Sequence, residues 1–140
     1  MNRLFSFILI LIFAVALSSC EKEEFENPLQ FETNTLTIAS AATQATIKLR
    51  LERPAEDNIP VTVRYQANGL TYNEDFTTNP EEVNGTIFLT IPTGSSEVTF
   101  TVNKQPGITL LGNEIVSFTL ETAGKPATIG ATSSLTVHLD

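Results

Sequence analysis

From Leu29 onward, apolar side chains recur at every second position, and this period constrains the fold more than any other feature of the chain. Side chains along an extended strand point alternately to opposite faces, so this spacing makes one apolar face and one wet face. A helical stripe needs a repeat of about 3.6 residues. Ala45, Ile47, Leu49 and Leu51 alternate with Thr46, Lys48, Arg50 and Glu52, and Val61, Val63, Tyr65 and Ala67 alternate with Thr62, Arg64 and Gln66. Pro54, Glu56, Asp57 and Pro60 mark the loop between them. Ile87, Leu89 and Ile91 lead into Pro92-Thr93-Gly94, and Val98, Phe100 and Val102 follow it, so this pair is expected to form a hairpin. Val116, Phe118 and Leu120 and then Leu135, Val137 and Leu139 repeat the pattern, and a weaker first strand is expected over Leu29 to Ile38.

No helical apolar stripe follows the N-terminal segment, and Thr is abundant on the expected outer faces, where a β-branched polar side chain suits an extended backbone. About seven short strands separated by turns predict an all-β fold, an antiparallel two-sheet Greek-key sandwich of immunoglobulin-like architecture. An up-and-down barrel is the competing arrangement. The odd strand number and the long irregular stretch from Asn68 to Asn84 argue against such a meander.

The N-terminus follows a different rule. Asn2 and Arg3 are followed by Leu4 to Leu17, uncharged and interrupted only by Ser6. This run is shorter than the ~20 residues that a spanning helix requires and has the length of a signal-peptide core. Leu17-Ser18-Ser19-Cys20 resembles the lipobox of bacterial lipoproteins, which implies a signal peptide over residues 1–19 and lipidation of Cys20. Cys20 is the sole cysteine, so an internal disulfide and a cysteine-based zinc site are excluded. Glu21 to Pro28 is charged and aperiodic, so residues 20–28 read as the lipidated Cys and an acidic tether, with the folded domain over 29–140. The acidic run also resembles the tag that directs some Gram-negative lipoproteins to the outer leaflet of the outer membrane, although a plain charged linker has the same composition.

Cleavage after Ser19 leaves 121 residues, enough for one domain, with seven Lys and Arg against sixteen Asp and Glu, a net charge of −9. That charge argues against nucleic acid as a partner and against binding to anionic lipid headgroups, leaving acyl chains as the expected membrane attachment.

Several short motifs occur in an order that resembles the Calx-beta domain. Arg53-Pro54-Ala55 precedes Val61-Thr62-Val63-Arg64-Tyr65, Asn73-Glu74-Asp75-Phe76 stands where a Gly-x-Asp-Tyr element is usual, and Gly85-Thr86-Ile87, Pro92 to Glu97, Glu114 to Leu120 and Ala127 to Gly130 follow. Asn73 would supply the left-handed backbone that Gly gives elsewhere. The resemblance implies an immunoglobulin-like sandwich that, in family members binding Ca²⁺, gathers carboxylates at one end. Here it points to Asp75, Glu114 and Asp140 as metal ligands. The pattern is depleted, since Ser40 and Leu111-Gly112-Asn113 stand where acids are usual, and carboxylates that only cap loops remain the alternative. No cofactor is required on this reading, calcium being the one that the resemblance offers.

Catalytic chemistry has no foothold. His138 is out of phase with Val137 and Leu139 and should face away from the core without a partner, while Glu56-Asp57 and Glu81-Glu82 read as solvated loop charges. Phosphate loops, zinc spacings and nucleophile elbows are absent from the sequence. Tyr72, Phe76 and Phe88 are the aromatic residues open to a glycan or protein partner, Tyr65 lying on the apolar face of its strand. The expectation is a non-catalytic envelope lipoprotein, anchored to the outer membrane, that works as a binding or spacer module. A calcium-stabilised adhesion module and an accessory glycan-binding subunit of a nutrient-uptake complex are the alternatives.

Overall fold

The computed structural model describes residues 25–140, so the expected signal peptide and Cys20 lie outside the described residues. Among the described residues, ten strands form two five-stranded sheets. One sheet has the order β5 (Phe76–Asn79), β7 (Glu97–Lys104), β3 (Gln44–Leu51), β1 (Asn27–Phe31), β9 (Ala127–Ile129). The other has the order β2 (Thr35–Ile38), β10 (Ser134–Leu139), β8 (Ile115–Ala123), β4 (Ile59–Asn68), β6 (Thr86–Ile91). This is the expected all-β sandwich, with each alternating segment buried on its apolar side. Ile47, Leu49 and Leu51 of β3 and Phe100 and Val102 of β7 face Val61 and Val63 of β4 and Val116 and Phe118 of β8. The rings of Phe100 and Phe118 meet between the sheets at 5.1 Å in an edge-on arrangement that favours the pair beyond the apolar area it buries.

Three expectations change. The first strand is two: β1 pairs antiparallel with β3 and parallel with β9, whereas β2 pairs parallel with β10 in the opposite sheet. The apolar phase slips between Phe31 and Leu36, so no single extended strand could bury both, and the chain crosses from sheet to sheet over residues 32–34. The sandwich is therefore antiparallel except at these two ladders. Second, β6 and β7 do not form a hairpin. They lie in different sheets, and the turn between them is an arch held by the 52–58 loop, with Gly94 N–H donating to Ala55 O at 2.7 Å and Ala55 N–H to Ser95 O at 2.8 Å. Third, short strands β5 and β9 occupy segments without an apolar period.

Strand direction defines two poles. Leu29 stands opposite Leu51, so β1 enters at the pole built from residues 52–58, 92–96 and 124–126. The 39–43, 69–75 and 105–114 loops and Asp140 occupy the opposite, distal pole. The end of the expected tether is not free chain. The Asn27 side chain is buried and holds both backbone groups of Arg53 at 3.0 Å, and the Arg53 guanidinium lies over the Phe25 ring at 5.1 Å. Such a stacked cation contributes roughly 0.5–1 kcal/mol at an exposed site.

Candidate functional site

The distal pole collects the residues that the sequence singles out, and each is held by local backbone. Gly112 adopts φ 87°, which a side chain would resist, and this turns the Leu111-Gly112-Asn113 segment around the carboxylate of Glu114. Glu114 is only 6% exposed, and its two oxygens accept the N–H groups of Leu111 at 2.8 Å, Gly112 at 2.8 Å and Asn113 at 3.0 Å. Hydrogen bonds from these amides, Leu111 foremost, hold its carboxyl below the usual Glu range because they favour the charged form.

Asp75 serves a second loop. Its Oδ2 accepts the Thr71 N–H at 2.7 Å, its own N–H donates to Thr71 O at 2.9 Å, and Asn73 takes the left-handed conformation, φ 70°, that its place in the motif demanded. Asp140 is exposed and contributes backbone rather than carboxylate: its N–H donates to Ile38 O at 3.0 Å. The structure therefore does not bring the three carboxylates together. Among the described residues no group of three or more His, Cys, Asp or Glu is placed to hold a metal ion.

A cation is nevertheless present at this pole, supplied by the chain. Lys104, the last residue of β7, donates from Nζ to three backbone oxygens: Asp140 at 2.8 Å, Ala39 at 3.1 Å and Ser40 at 3.3 Å. Its ammonium thus ties the end of β10 to the turn between β2 and β3, beside an open groove of about 600 Å³ lined by Ser40, Lys104, Ile108, Leu110 and Asp140. These residues do not fit a calcium ion, because Lys104 already fills the carbonyl cradle and the Glu114 carboxylate is turned to three amides. Sequence reasoning missed Lys104, since its partners lie 36 to 65 residues away and no local pattern marks them.

The aromatic residues seal rather than display. Tyr72 packs edge-on against Phe76 at 5.3 Å and tilted against Tyr65 at 5.5 Å, while its hydroxyl accepts the Thr78 N–H at 3.2 Å and the Glu82 N–H at 3.3 Å. Burial, reinforced by the nearby Glu82 charge, raises the Tyr65 phenol above its ordinary pKa. Of Tyr72, Phe76 and Phe88, it is Phe88, 57% exposed, that presents its ring to solvent. Glu82 caps Gly85 N–H instead of pairing with Glu81, and Glu56 and Asp57 are exposed. His138 is half-buried on the outer face of β10, opposite Ile115.

No protein-family model and no curated protein sequence matches the chain. Solved structures do. The apo-form Calx CBD1 domain superposes with a TM-score of 0.65 at 15% identity, over 81% of this chain and 95% of that one. The Calx CBD2 domain gives 0.62 at 10% identity, over 79% and 84% respectively. A two-domain protein of unknown function from Bacteroides fragilis gives 0.55 at 13% identity over 84% of this chain and 46% of its own length. The chain thus has a Calx-beta-like fold, as the order of its motifs implied.

Proposed function

We propose that this chain is a non-catalytic lipoprotein of the cell envelope, lipidated at Cys20 and held at the outer membrane, whose sandwich acts as a binding or spacer module. The observation that carries the reading is the placement of the fold behind the lipobox. β1 begins at Asn27, and Phe25 is already docked under Arg53. Only residues 21–24 separate the anchor from the docked chain, a reach of about 17 Å when extended at ~3.4 Å per residue. The domain would be held close to the membrane by the chain that enters at the pole of the 52–58 and 92–96 loops.

The acidic surface gives the domain no attraction of its own for anionic headgroups, so attachment rests on the acyl chains, each buried CH₂ contributing about 0.8 kcal/mol. Calcium is not needed on this reading, because the Lys104 ammonium does the bridging that a bound cation would do. The similar solved structures include one described as the calcium binding domain CBD12 of CALX1.1, so the metal is a necessary control.

Cys20→Ser should abolish incorporation of labelled palmitate and move the protein from the membrane to the soluble fraction, with an unchanged circular-dichroism spectrum. A variant that stays in the membrane fraction and still takes up palmitate would overturn the proposal. Hydrolytic activity lost on changing Asp75 or Glu114 would overturn its non-catalytic part.

A further inference from the structure

The four sheet edges are unequal. β5, β9 and β2 have 4, 3 and 4 residues, too short to template a partner, whereas β6 has 6. Its sequence Thr86-Ile87-Phe88-Leu89-Thr90-Ile91 carries no charge and no Pro, the devices that ordinarily blunt an exposed edge. In an antiparallel ladder both backbone groups of a residue point to the same side, and successive residues alternate. Tyr65 N–H donates to Gly85 O at 3.1 Å, which directs the backbone groups of the odd-numbered residues of β6 toward β4. The even-numbered residues therefore face outward. Thr86 is already covered there, since Val83 and Thr86 exchange two hydrogen bonds at 2.8 and 3.1 Å. Pro92, without an N–H, closes the other end. What remains, among the described residues, is one donor and one acceptor on Phe88 and the same on Thr90, and both residues are exposed.

We infer that this edge binds a second copy of the same chain, β6 to β6, antiparallel about a two-fold axis through Leu89. That register sets Phe88 opposite Thr90 of the other copy and Thr90 opposite its Phe88, and satisfies all four free groups. No other in-face register does so: an axis through Phe88 runs into Val83, and one through Ile87 or Thr90 leaves groups unmatched. Two strongly acidic chains can also meet here without opposing carboxylates, the whole strand being neutral. Phe88 would lie across the seam on the outer face, covering apolar surface that is otherwise 57% exposed. An axis normal to this sheet leaves both β1 strands, which belong to the other sheet, on the same side. It also turns the two 52–58 poles in opposite directions, so two anchored copies would lie with that shared side toward one membrane, although the pairing does not depend on the anchor.

The register is testable in the full chain. Opposed residues of a hydrogen-bonded pair have Cα atoms about 5.5 Å apart, within disulfide reach, whereas Phe88 and its own copy would be about 9 Å apart, outside it. Membranes containing both Phe88→Cys and Thr90→Cys chains should give a covalent dimer on mild oxidation with copper phenanthroline, and membranes with either chain alone should not. No dimer from the mixture, or equal dimer from one variant alone, would overturn the inference. Thr90→Pro removes an outward N–H that the β4 ladder does not use, so the purified full chain in detergent should sediment as two copies and the variant as one, both with cooperative melts. A wild-type chain that sediments as one copy would also overturn it. Failure of palmitate labelling would leave the sedimentation result untouched, which separates the inference from the lipoprotein reading.

Discussion

Replacing Lys104 by Met removes the ammonium while keeping the apolar stem, so it isolates the bridge between Asp140, Ala39 and Ser40. A hydrogen bond to a charged group contributes a net ~1.5–3 kcal/mol when buried, but Lys104 is half-buried beside an open groove and the freed carbonyls can be rehydrated. The three contacts together should therefore be worth about 1–2 kcal/mol rather than the sum of three buried bonds. For a domain of this size ~1 kcal/mol shifts the melting temperature by about 4 °C, which predicts a loss of about 4–8 °C by scanning calorimetry. Lys125→Met makes the same change of net charge at an exposed site with no side-chain hydrogen bond or ion pair among the described residues, and should stay within about 0.5 kcal/mol of wild type. Calcium provides the second arm. A site loaded at a hundred times its Kd would add ~2.7 kcal/mol, about 10 °C, to the wild-type protein, and no such shift is expected at millimolar Ca²⁺. If Lys104→Met melts with Lys125→Met, or if calcium stabilises the wild-type chain, the ammonium is not the cation that closes this pole.

Glu114 makes the distal pole sensitive to acid. Its folded pKa lies below the unfolded value, so its stabilising contribution is complete above the unfolded pKa and is lost as the pH falls through the folded one. Glu114→Gln, which turns an NH₂ toward donating amides, should melt below wild type near neutrality and approach it in acid; melting curves that stay parallel with pH would refute this. Gly124→Ala should cost about 1–3 kcal/mol in urea denaturation, because its Cβ would stand 2.6 Å from Cδ and 2.9 Å from Cγ of Pro60, a ring that cannot rotate away. Phe100→Ala empties the space against Phe118 and should lower the urea midpoint by the equivalent of ~3–5 kcal/mol without changing the slope, a large part of the 5–15 kcal/mol typical of a domain.

The elements that could be read from the sequence are those whose inward positions are all apolar. Ile87, Leu89 and Ile91, or Val116, Phe118 and Leu120, announce β6 and β8 because nothing polar interrupts the period. β5 is silent for the opposite reason. Its second inward residue is Thr78, buried but polar, whose hydroxyl lies 3.1 Å from the Tyr72 hydroxyl in a pairing that only tertiary structure supplies. β9 is too short to show any period, with Ala127 its one buried residue. The division between β1 and β2, by contrast, was visible: inward residues fall on odd numbers at Leu29 and Phe31 and on even ones at Leu36 and Ile38, and a change of parity within one extended stretch means a change of face.

The β6–β7 arch shows where reading from local pattern stops. Alternation tells which side of a strand is buried and says nothing about which strand lies beside it, so two apolar segments around Pro92-Thr93-Gly94 fit a hairpin and an arch equally well. What decides is where the turn's own backbone groups go. Gly94, Ser95 and Ser96 bond to Ala55 and Leu51, and the Thr93 N–H donates to the Asn58 side chain at 3.0 Å, contacts that span some forty residues. The distal pole obeys the same rule. Glu114 and Asp75 were identifiable as residues, but whether a carboxylate faces a metal or an amide depends on loops that approach from elsewhere in the chain. Lys104, unmarked in the sequence, is the residue whose charge meets the backbone oxygens of this pole. An unpartnered backbone group is thus the more telling observation, and Phe88 and Thr90 on β6 hold the ones whose complement two copies of this chain can supply to each other.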